Sequence, residues 1–187
     1  MAFKPIFTIT DKILNNLTII ASAREVIEQS RLVPKREASL RKQAKLRNTH
    51  SSTAIEGNKL TIEQVEALAN GKDVIATDKD KKEVLNYLEA LDGIHSFTKK
   101  GKVKVEDLLQ IHGMVSKDVL SDNKHSGVFR DRQVFVGRRV FDGTGFKEEV
   151  EYMPPQTKDV PGLVKEFIDW LNIDKTWEIN PVLLAGI

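Results

Sequence analysis

Apolar residues recur at three- and four-residue spacing over most of this chain, the repeat expected of helices that bury one face. The first such stretch begins at Thr10 or Asp11, either of which can cap a helix, and runs to about Gln29 with Ile13, Leu17, Ile20 and Ile27 as its apolar positions. Pro34 interrupts it, and a second helix is predicted from about Arg36 into a stop at Glu56-Gly57. Thr61 and Gln64 have the spacing of a capping box, so a third, short helix should start there and end near Asn70-Gly71. Val84, Leu88, Leu91, Ile94 and His95 mark a longer helix from Asp80 to Phe97. After Gly101, Leu108, Leu109, His112 and Val115 mark another from Val105 to about Leu120.

The period then changes. The runs 133–136 and 149–152 are short and β-prone, and Gly137, Asp142-Gly143 and Gly145 lie between them, which reads as one hairpin with a long connection. Met153-Pro154-Pro155 ends it. Helix resumes from about Lys158 to Leu171, with Val160, Leu163, Val164, Phe167 and Leu171 on its apolar face. Asn180 is a good N-cap and Pro181 a good first helical residue. The six residues that follow, 182–187, are apolar on every side, the mark of a buried helix. Natural chains rarely stop inside a buried helix, so a polypeptide cut short is expected. The predicted fold is mainly α with one β-hairpin. A helical region over 1–100 is followed by a second region over 101–187 that carries the hairpin.

Composition narrows the classes. A length of 187 residues allows one domain or one and a half. The net charge of +2 is too small to point to a nucleic-acid partner. Arg31, Lys35, Arg36, Arg41, Lys42, Lys45 and Arg47 read as a solvated helix face. There is no cysteine, which excludes a disulfide framework and thiol chemistry. No apolar run approaches the ~20 residues of a membrane span, so no membrane partner is expected. Met1-Ala2-Phe3-Lys4-Pro5 does not open a signal peptide, and a cytoplasmic location is the expectation.

The candidate chemistry concentrates in Ser52-Thr53-Ala54-Ile55-Glu56-Gly57-Asn58. Gly57 adopts a left-handed helix cap cheaply, which puts Glu56 at a helix C-terminus. A carboxylate there faces the negative end of the helix dipole, at a cost of about 0.3–1 kcal/mol. Ser52 lies four residues before Glu56, on the same helical face. A carboxylate held in a mildly unfavourable place implies a cation to meet it.

This Ser-x-x-x-Glu-Gly pattern resembles the inhibitory motif of Fic (Fic/Doc) proteins. Further pieces follow in family order. Gly127-Val128-Phe129-Arg130 resembles the family's Gly-x-(Tyr/Phe)-Arg segment, and the strands around Val134–Val136 and Val150–Tyr152 resemble its flap. Pro154-Pro155, the helix bearing Leu163 and Trp170, and Asn180-Pro181 resemble the approach to its active-site helices. The resemblance covers roughly Arg36 to Ile187 and matches the subclass with an N-terminal inhibitory helix.

It implies the N-terminal part of an autoinhibited protein adenylyltransferase, an enzyme that moves AMP from ATP to a hydroxyl side chain of a target protein. In that setting Glu56 holds the active-site arginine and obstructs the triphosphate, Ser52 fixes the helix by hydrogen bonding, and Gly57 ends it. Val134, Phe135 and Val136 contact target or nucleotide, because an exposed strand edge can pair with an extended peptide. The implied partners are the target protein on the flap edge, the C-terminal remainder of the same protein, and a second copy in a homodimer. The implied cofactors are ATP and Mg²⁺ in the complete enzyme, with neither binding tightly to this chain alone.

The departure from the family is large. The hallmark His-x-Phe-x-(Asp/Glu)-Gly-Asn-Gly-Arg, which supplies the general base, a Mg²⁺ ligand and a phosphate cradle, is absent. None of His50, His95, His112 and His125 replaces it, and His95 and His112 sit at positions typical of core packing. No residue of this chain is therefore expected to be catalytic. Gly143-Thr144-Gly145 lacks the lysine of a P-loop, Asp78-Lys79-Asp80 lacks the rest of a calcium loop, and no spacing suits zinc. A second reading is a non-catalytic binding module. It would be an antitoxin-like inhibitor that inserts Glu56 into a separate Fic enzyme, or a helical regulator.

Overall fold

The computed structural model describes residues 3–30, 33–98, 101–141 and 143–187. Arg31 of the basic run and Asp142 of the hairpin connection lie outside the described residues. Helix α1 spans Asp11–Gln29, with Thr10 accepting the Ile13 N–H at its N-terminus. Helix α2 spans Pro34–Ile55, α3 Ile62–Ala69, α4 Asp78–Gly93, α5 His95–Thr98 and α6 Val105–Ser116. Strands β1 (Val136–Phe141) and β2 (Phe146–Tyr152) form one antiparallel pair. Helices α7 (Val160–Leu171) and α8 (Pro181–Leu184) follow, and short 3₁₀ turns fill the gaps at 123–125, 157–159 and 174–178.

The core lies where α2, α3 and α4 meet. Leu46, Leu60, Val65, Leu68, Val84 and Leu88 form one buried cluster, with Ile62, Val74 and Ala76 packed against it. Val65 and Val84 are fully buried. The capping box at Thr61 forms in both directions: Gln64 N–H donates to Thr61 Oγ1, and Thr61 N–H donates to Gln64 Oε1 at 2.9 Å. It starts α3 at the point where the chain turns back onto α2.

Asparagine amides join the layers. Asn86 on α4 donates to the Lys117 carbonyl at 2.7 Å and to that of Val115 at 3.3 Å. Asn172, just beyond α7, pairs with both backbone groups of Val103, accepting its N–H at 3.0 Å and donating to its carbonyl at 2.7 Å. Each amide satisfies backbone groups that a loop or helix end would otherwise leave open.

Several sequence expectations are corrected here. The Asp80–Phe97 helix is broken: α4 ends at Gly93 and α5 restarts at His95. A Cβ on Gly93 would come within 3.1 Å of Met114, so this close crossing with α6 favours a residue that is also a poor helix former. The break leaves His95 exposed rather than in the core. The next helix stops at Ser116, short of Leu120, because Asn86 takes its terminal carbonyls and Asp118 turns into the left-handed region at φ 56°. His112 is half-buried.

The hairpin is longer and its connection shorter than the β-prone runs suggested, with pairing continuing to Phe141↔Phe146. The Phe141 and Phe146 rings meet edge-on at 5.5 Å and close its tip. Gly137 lies in β1, at a register shift beside Val136, instead of in a loop. Val134 and Phe135 precede the strand and only Val136 is in it.

The apolar positions of α1 do not form a core face. None of its residues is buried, Ile20 and Ile27 are exposed, and Ile13 and Leu17 are half-buried. The chain ahead of α1 is anchored instead by Phe3, whose ring lies 5.2 Å from Phe167 and 5.0 Å from Trp170. Residues 182–187 are likewise not buried. Val182 is exposed and Leu183, Leu184 and Ile187 are half-buried, because so short a helix meets its neighbours on one side only. In both segments apolar periodicity marks a surface capable of burial, and the described residues supply no complete cover for it.

The basic residues of α2 are mostly solvated. Arg41 pairs with Glu37 at 2.8 Å, Lys42 donates to Asn70 at 2.7 Å, and Lys45 reaches Asp92 at 2.5 Å. Among the described residues, no helix is long and apolar enough to cross a membrane.

Candidate functional site

Helix α2 ends in a Schellman cap built by the residues singled out in the sequence. Gly57 takes φ +92°; its N–H donates to the Ala54 carbonyl at 3.0 Å and the Asn58 N–H to the Thr53 carbonyl at 3.1 Å. Glu56 is thereby the cap residue itself, at φ −81° and ψ 4°. Its side chain is exposed, and among the described residues the carboxylate has no hydrogen-bond or ion-pair partner. The cap spends its backbone donors on the helix's own last carbonyls. Neither of these backbone donors is therefore free to pair with the Glu56 carboxylate at this end of the helix dipole.

Ser52, one turn earlier, is half-buried and bonded. Its hydroxyl accepts from the Tyr87 hydroxyl of α4 at 2.9 Å and donates to Asn48 Oδ1 at 3.3 Å. Thr53 points inward, donating to the Thr49 carbonyl at 2.9 Å, so it belongs to the packing of α2. Two residues past Glu56, the Asn58 side chain is buried and fully used. Its amide donates to the Asp80 carbonyl and to Glu83 Oε2, both at 2.9 Å, and its oxygen accepts the Leu60 N–H at 3.1 Å.

Ser52, Thr53 and Glu56 edge a groove of about 980 Å³ between α2, α4 and the C-terminal part of α6. Ser52 and Glu56 come from α2, Glu83 and Tyr87 from α4, and His112 and Ser116 from α6. Glu83 lies 3.5 Å from Lys79, which also borders the groove. His112 accepts the Gly127 N–H on Nδ1 at 3.1 Å. Gly127 needs its own lack of a side chain: at φ +72°, a Cβ would meet Gly113 Cα and the Leu109 carbonyl at 3.3 Å. The chain at Gly127 is therefore held close against α6.

Val134, Phe135 and Val136 are exposed and do not line this groove. The hairpin is clamped at its base by Gln133. Its amide nitrogen donates to the Val134 and Pro154 carbonyls at 3.1 Å, and its oxygen accepts the Thr157 N–H at 3.2 Å. Arg130 adds a bond to the Pro155 carbonyl at 2.5 Å.

Sequence reasoning singled out Ser52, Glu56 and Gly57, which the structure brings to one helix end, and did not single out Tyr87, Glu83 or the buried role of Asn58. A polar residue directly after a helix stop and two positions before an apolar one is a weak hint for Asn58. Tyr87 carries none, since position 87 also suits the apolar face of α4. Among the described residues, no group of three or more His, Asp or Glu side chains converges as a metal site.

Comparison with known proteins places this geometry in context. No family model matches the chain. It is 28% identical over 154 residues to the protein adenylyltransferase Fic of Drosophila willistoni, covering 79% of this chain and 27% of that protein. It is 26% identical over 186 residues to that of Drosophila persimilis, covering 96% and 32%. The chain thus spans about a quarter to a third of the length of the curated relatives it matches. A crystal structure of a Fic family protein from Desulfovibrio desulfuricans G20 superposes with a TM-score of 0.66 at 28% identity, covering 92% of this chain and 48% of that one. Fic-1 from C. elegans superposes at 0.65 with 20% identity, covering 94% and 50%, a likeness of fold alone. Over most of its length the chain is homologous to Fic-family protein adenylyltransferases, and its mainly helical fold is Fic-like.

Proposed function

We propose that, with that homology as premise, this chain forms the N-terminal part of an autoinhibited Fic-type enzyme, whose complete form transfers AMP from ATP to a hydroxyl side chain of a target protein. The observation that carries the reading is Glu56. It is an exposed carboxylate without a partner among the described residues, fixed by a Schellman cap at the edge of a groove. A group that costs stability where it stands, on a backbone held by a cap, suits the task of occupying a cationic side chain. In this reading Glu56 engages an arginine of the nucleotide site and mis-sets the triphosphate. Ser52 holds the helix against α4, and Gly57 sets the direction in which the carboxylate leaves it.

In this reading the chain alone does not hold ATP and Mg²⁺ tightly: Glu56 and Glu83 bring two carboxylates to the groove against the single ammonium of Lys79, a poor setting for a triphosphate. The base, the metal ligand and the phosphate cradle would come from the C-terminal remainder, and no chemical step is assigned to this chain. The exposed hairpin, with Val134, Phe135 and Val136 at its entrance, would dock the target by strand pairing.

The same unpaired Glu56 also favours a second reading, a non-catalytic inhibitor that acts on a separate Fic enzyme. One experiment separates them. The complete protein and its Glu56→Gly variant are incubated with Mg²⁺ and ATP labelled on the α-phosphate, and protein-bound label is counted. A rise in the variant supports autoinhibition. Equal label in two folded proteins sinks it. A wild-type chain that lowers the rate of an active Fic enzyme added in trans, where Glu56→Gly does not, turns the assignment to an inhibitor.

A further inference from the structure

Sequence spacing directs attention to Ser52 and Glu56, but the structure shows that Glu56 is held on both sides from a single neighbouring helix. On α4, Glu83 and Tyr87 lie four residues apart, on one face. Tyr87 takes Ser52, one turn before Glu56, and Glu83 takes Asn58, two residues after it. Both also line the groove at whose edge Glu56 lies.

The Asn58 contact is the more demanding of the two. Asn58 is 7% exposed, and both N–H donors of its amide and its oxygen are engaged. Its main-chain N–H closes the Schellman cap on Thr53. One residue thus ties the helix end, the start of the return segment at Leu60, and the first two turns of α4. Glu83 is only 16% exposed, so the bond between the Asn58 amide and its carboxylate is charge-assisted and poorly screened. A helix terminus held only by its own cap would fray, since terminal turns open with little free energy. A terminus also bonded to a half-buried carboxylate on a neighbouring helix has that further bond to break before it opens.

We propose that Asn58, through Glu83, is a positioning residue that locks the Glu56 turn onto α4. On this view the inhibitory strength of Glu56 depends on that bond as well as on the carboxylate itself. The inference rests on the autoinhibition reading for its effect on catalysis, and on geometry alone for its effect on the turn.

The test uses Asn58→Asp, which keeps the oxygen that accepts from Leu60 and replaces the donor with a charge facing Glu83. Two readouts are taken. The first is amide hydrogen exchange at Gly57, Asn58 or its replacement, and Leu60. Exchange should accelerate about tenfold or more, the expected effect of losing the charge-assisted bond to Glu83 together with the neutral bond to the Asp80 carbonyl, while amides of the Val65–Val84 core keep their rates. The swap Asn58→Asp with Glu83→Gln, which reverses donor and acceptor across the same gap, should restore part of the protection, the bond to the Asp80 carbonyl staying lost. The second readout is AMP transfer by the complete protein. Asn58→Asp should raise the rate towards that of Glu56→Gly with Glu56 still present, and should add nothing in the Glu56→Gly background. An asparagine that mattered only for folding would lower activity in that background.

If Asn58→Asp does not fold, Glu83→Gln alone serves. It keeps an acceptor of the same shape, loses the charge, and should move both readouts in the same direction by less. Unchanged exchange in a folded variant overturns the inference. So does an unchanged transfer rate where Glu56→Gly does activate. If Glu56→Gly itself has no effect, the autoinhibition reading fails, and the exchange data alone then decide whether Asn58 holds the turn.

Discussion

Glu83 and Tyr87 occupy successive turns of α4, and each holds a residue of the α2 terminus, Asn58 at 2.9 Å and Ser52 at 2.9 Å. The exposed carboxylate of Glu56 lies between those two attachment points in the chain. Its position is therefore a property of the α2–α4 pair rather than of the α2 terminus alone.

Tyr87→Phe should weaken the Ser52 attachment without opening a cavity, because only the hydroxyl is removed. The contact is part-buried, so the expected loss is about 0.5–1.5 kcal/mol of unfolding free energy, the range for one neutral hydrogen bond. Urea denaturation of wild type and variant measures it. Ser52→Ala should cost a similar amount, and the double variant little more than either single one. Additive losses would show that the two hydroxyls act independently.

Gly57→Ala should destabilise by roughly 1–2 kcal/mol, the cost of a left-handed conformation for a residue with a Cβ. A Cβ there meets nothing within 4 Å, so the penalty is conformational and not steric. Gly57→Asn, which tolerates that conformation better, should recover part of the loss. Equal losses for both in thermal melts would place the problem in packing instead.

The hairpin answers to a different glycine. A Cβ on Gly137 would clash with the Glu149 carbonyl oxygen across the pair, so Gly137→Ala must break or shift the register. Helical circular dichroism and the melting of the α2–α3–α4 core should be unchanged, because the hairpin contributes nothing to that core. Amide protection along β1 and β2 should fall severalfold, a local opening. A cooperative loss of the whole fold would contradict this separation.

One ion pair makes a pH prediction with a definite sign. Asp73 is held below the usual carboxylate range by its hydrogen bond from Lys81, then by the Val74 N–H and the charge of Lys81. A carboxyl whose folded pKa is depressed lends stability above its unfolded pKa and loses it as pH falls through the folded value. Stability from this clasp is therefore present at neutral pH and disappears in acid. Lys81→Met should bring the Asp73 titration, followed by carboxyl carbon chemical shifts, back toward the ordinary range. The clasp is at the surface, so high salt should reduce the difference. An Asp73 titration unmoved by Lys81→Met would assign the shift to the backbone contact.

Local chemistry made most element starts and stops readable. Thr10, the Thr61–Gln64 box, Gly57 and Asn180-Pro181 act within a few residues of chain, and each forms as its residue types dictate. The candidate site was readable to the same extent. Ser52, Glu56 and Gly57 share one helix end, so spacing alone puts them together.

Partners from distant parts of the chain were not readable. The places of Glu83, Tyr87 and the Asn58 amide follow only from how α4 crosses α2, and nothing in their own neighbourhoods signals it. The same limit explains the errors. Apolar spacing in α1 and in 182–187 shows which faces could be buried, but burial needs a second surface, and only the packed structure shows where one is present. Gly93 and Gly137 were ambiguous for a related reason: a glycine's identity permits a break or a close approach, and the neighbour across the gap decides which. The sequence by itself determined the caps, the helical class and the carboxylate at the end of α2, because those depend on interactions within a turn or two. The tertiary structure decided what holds that carboxylate, because hydrogen bonds between helices depend on their crossing.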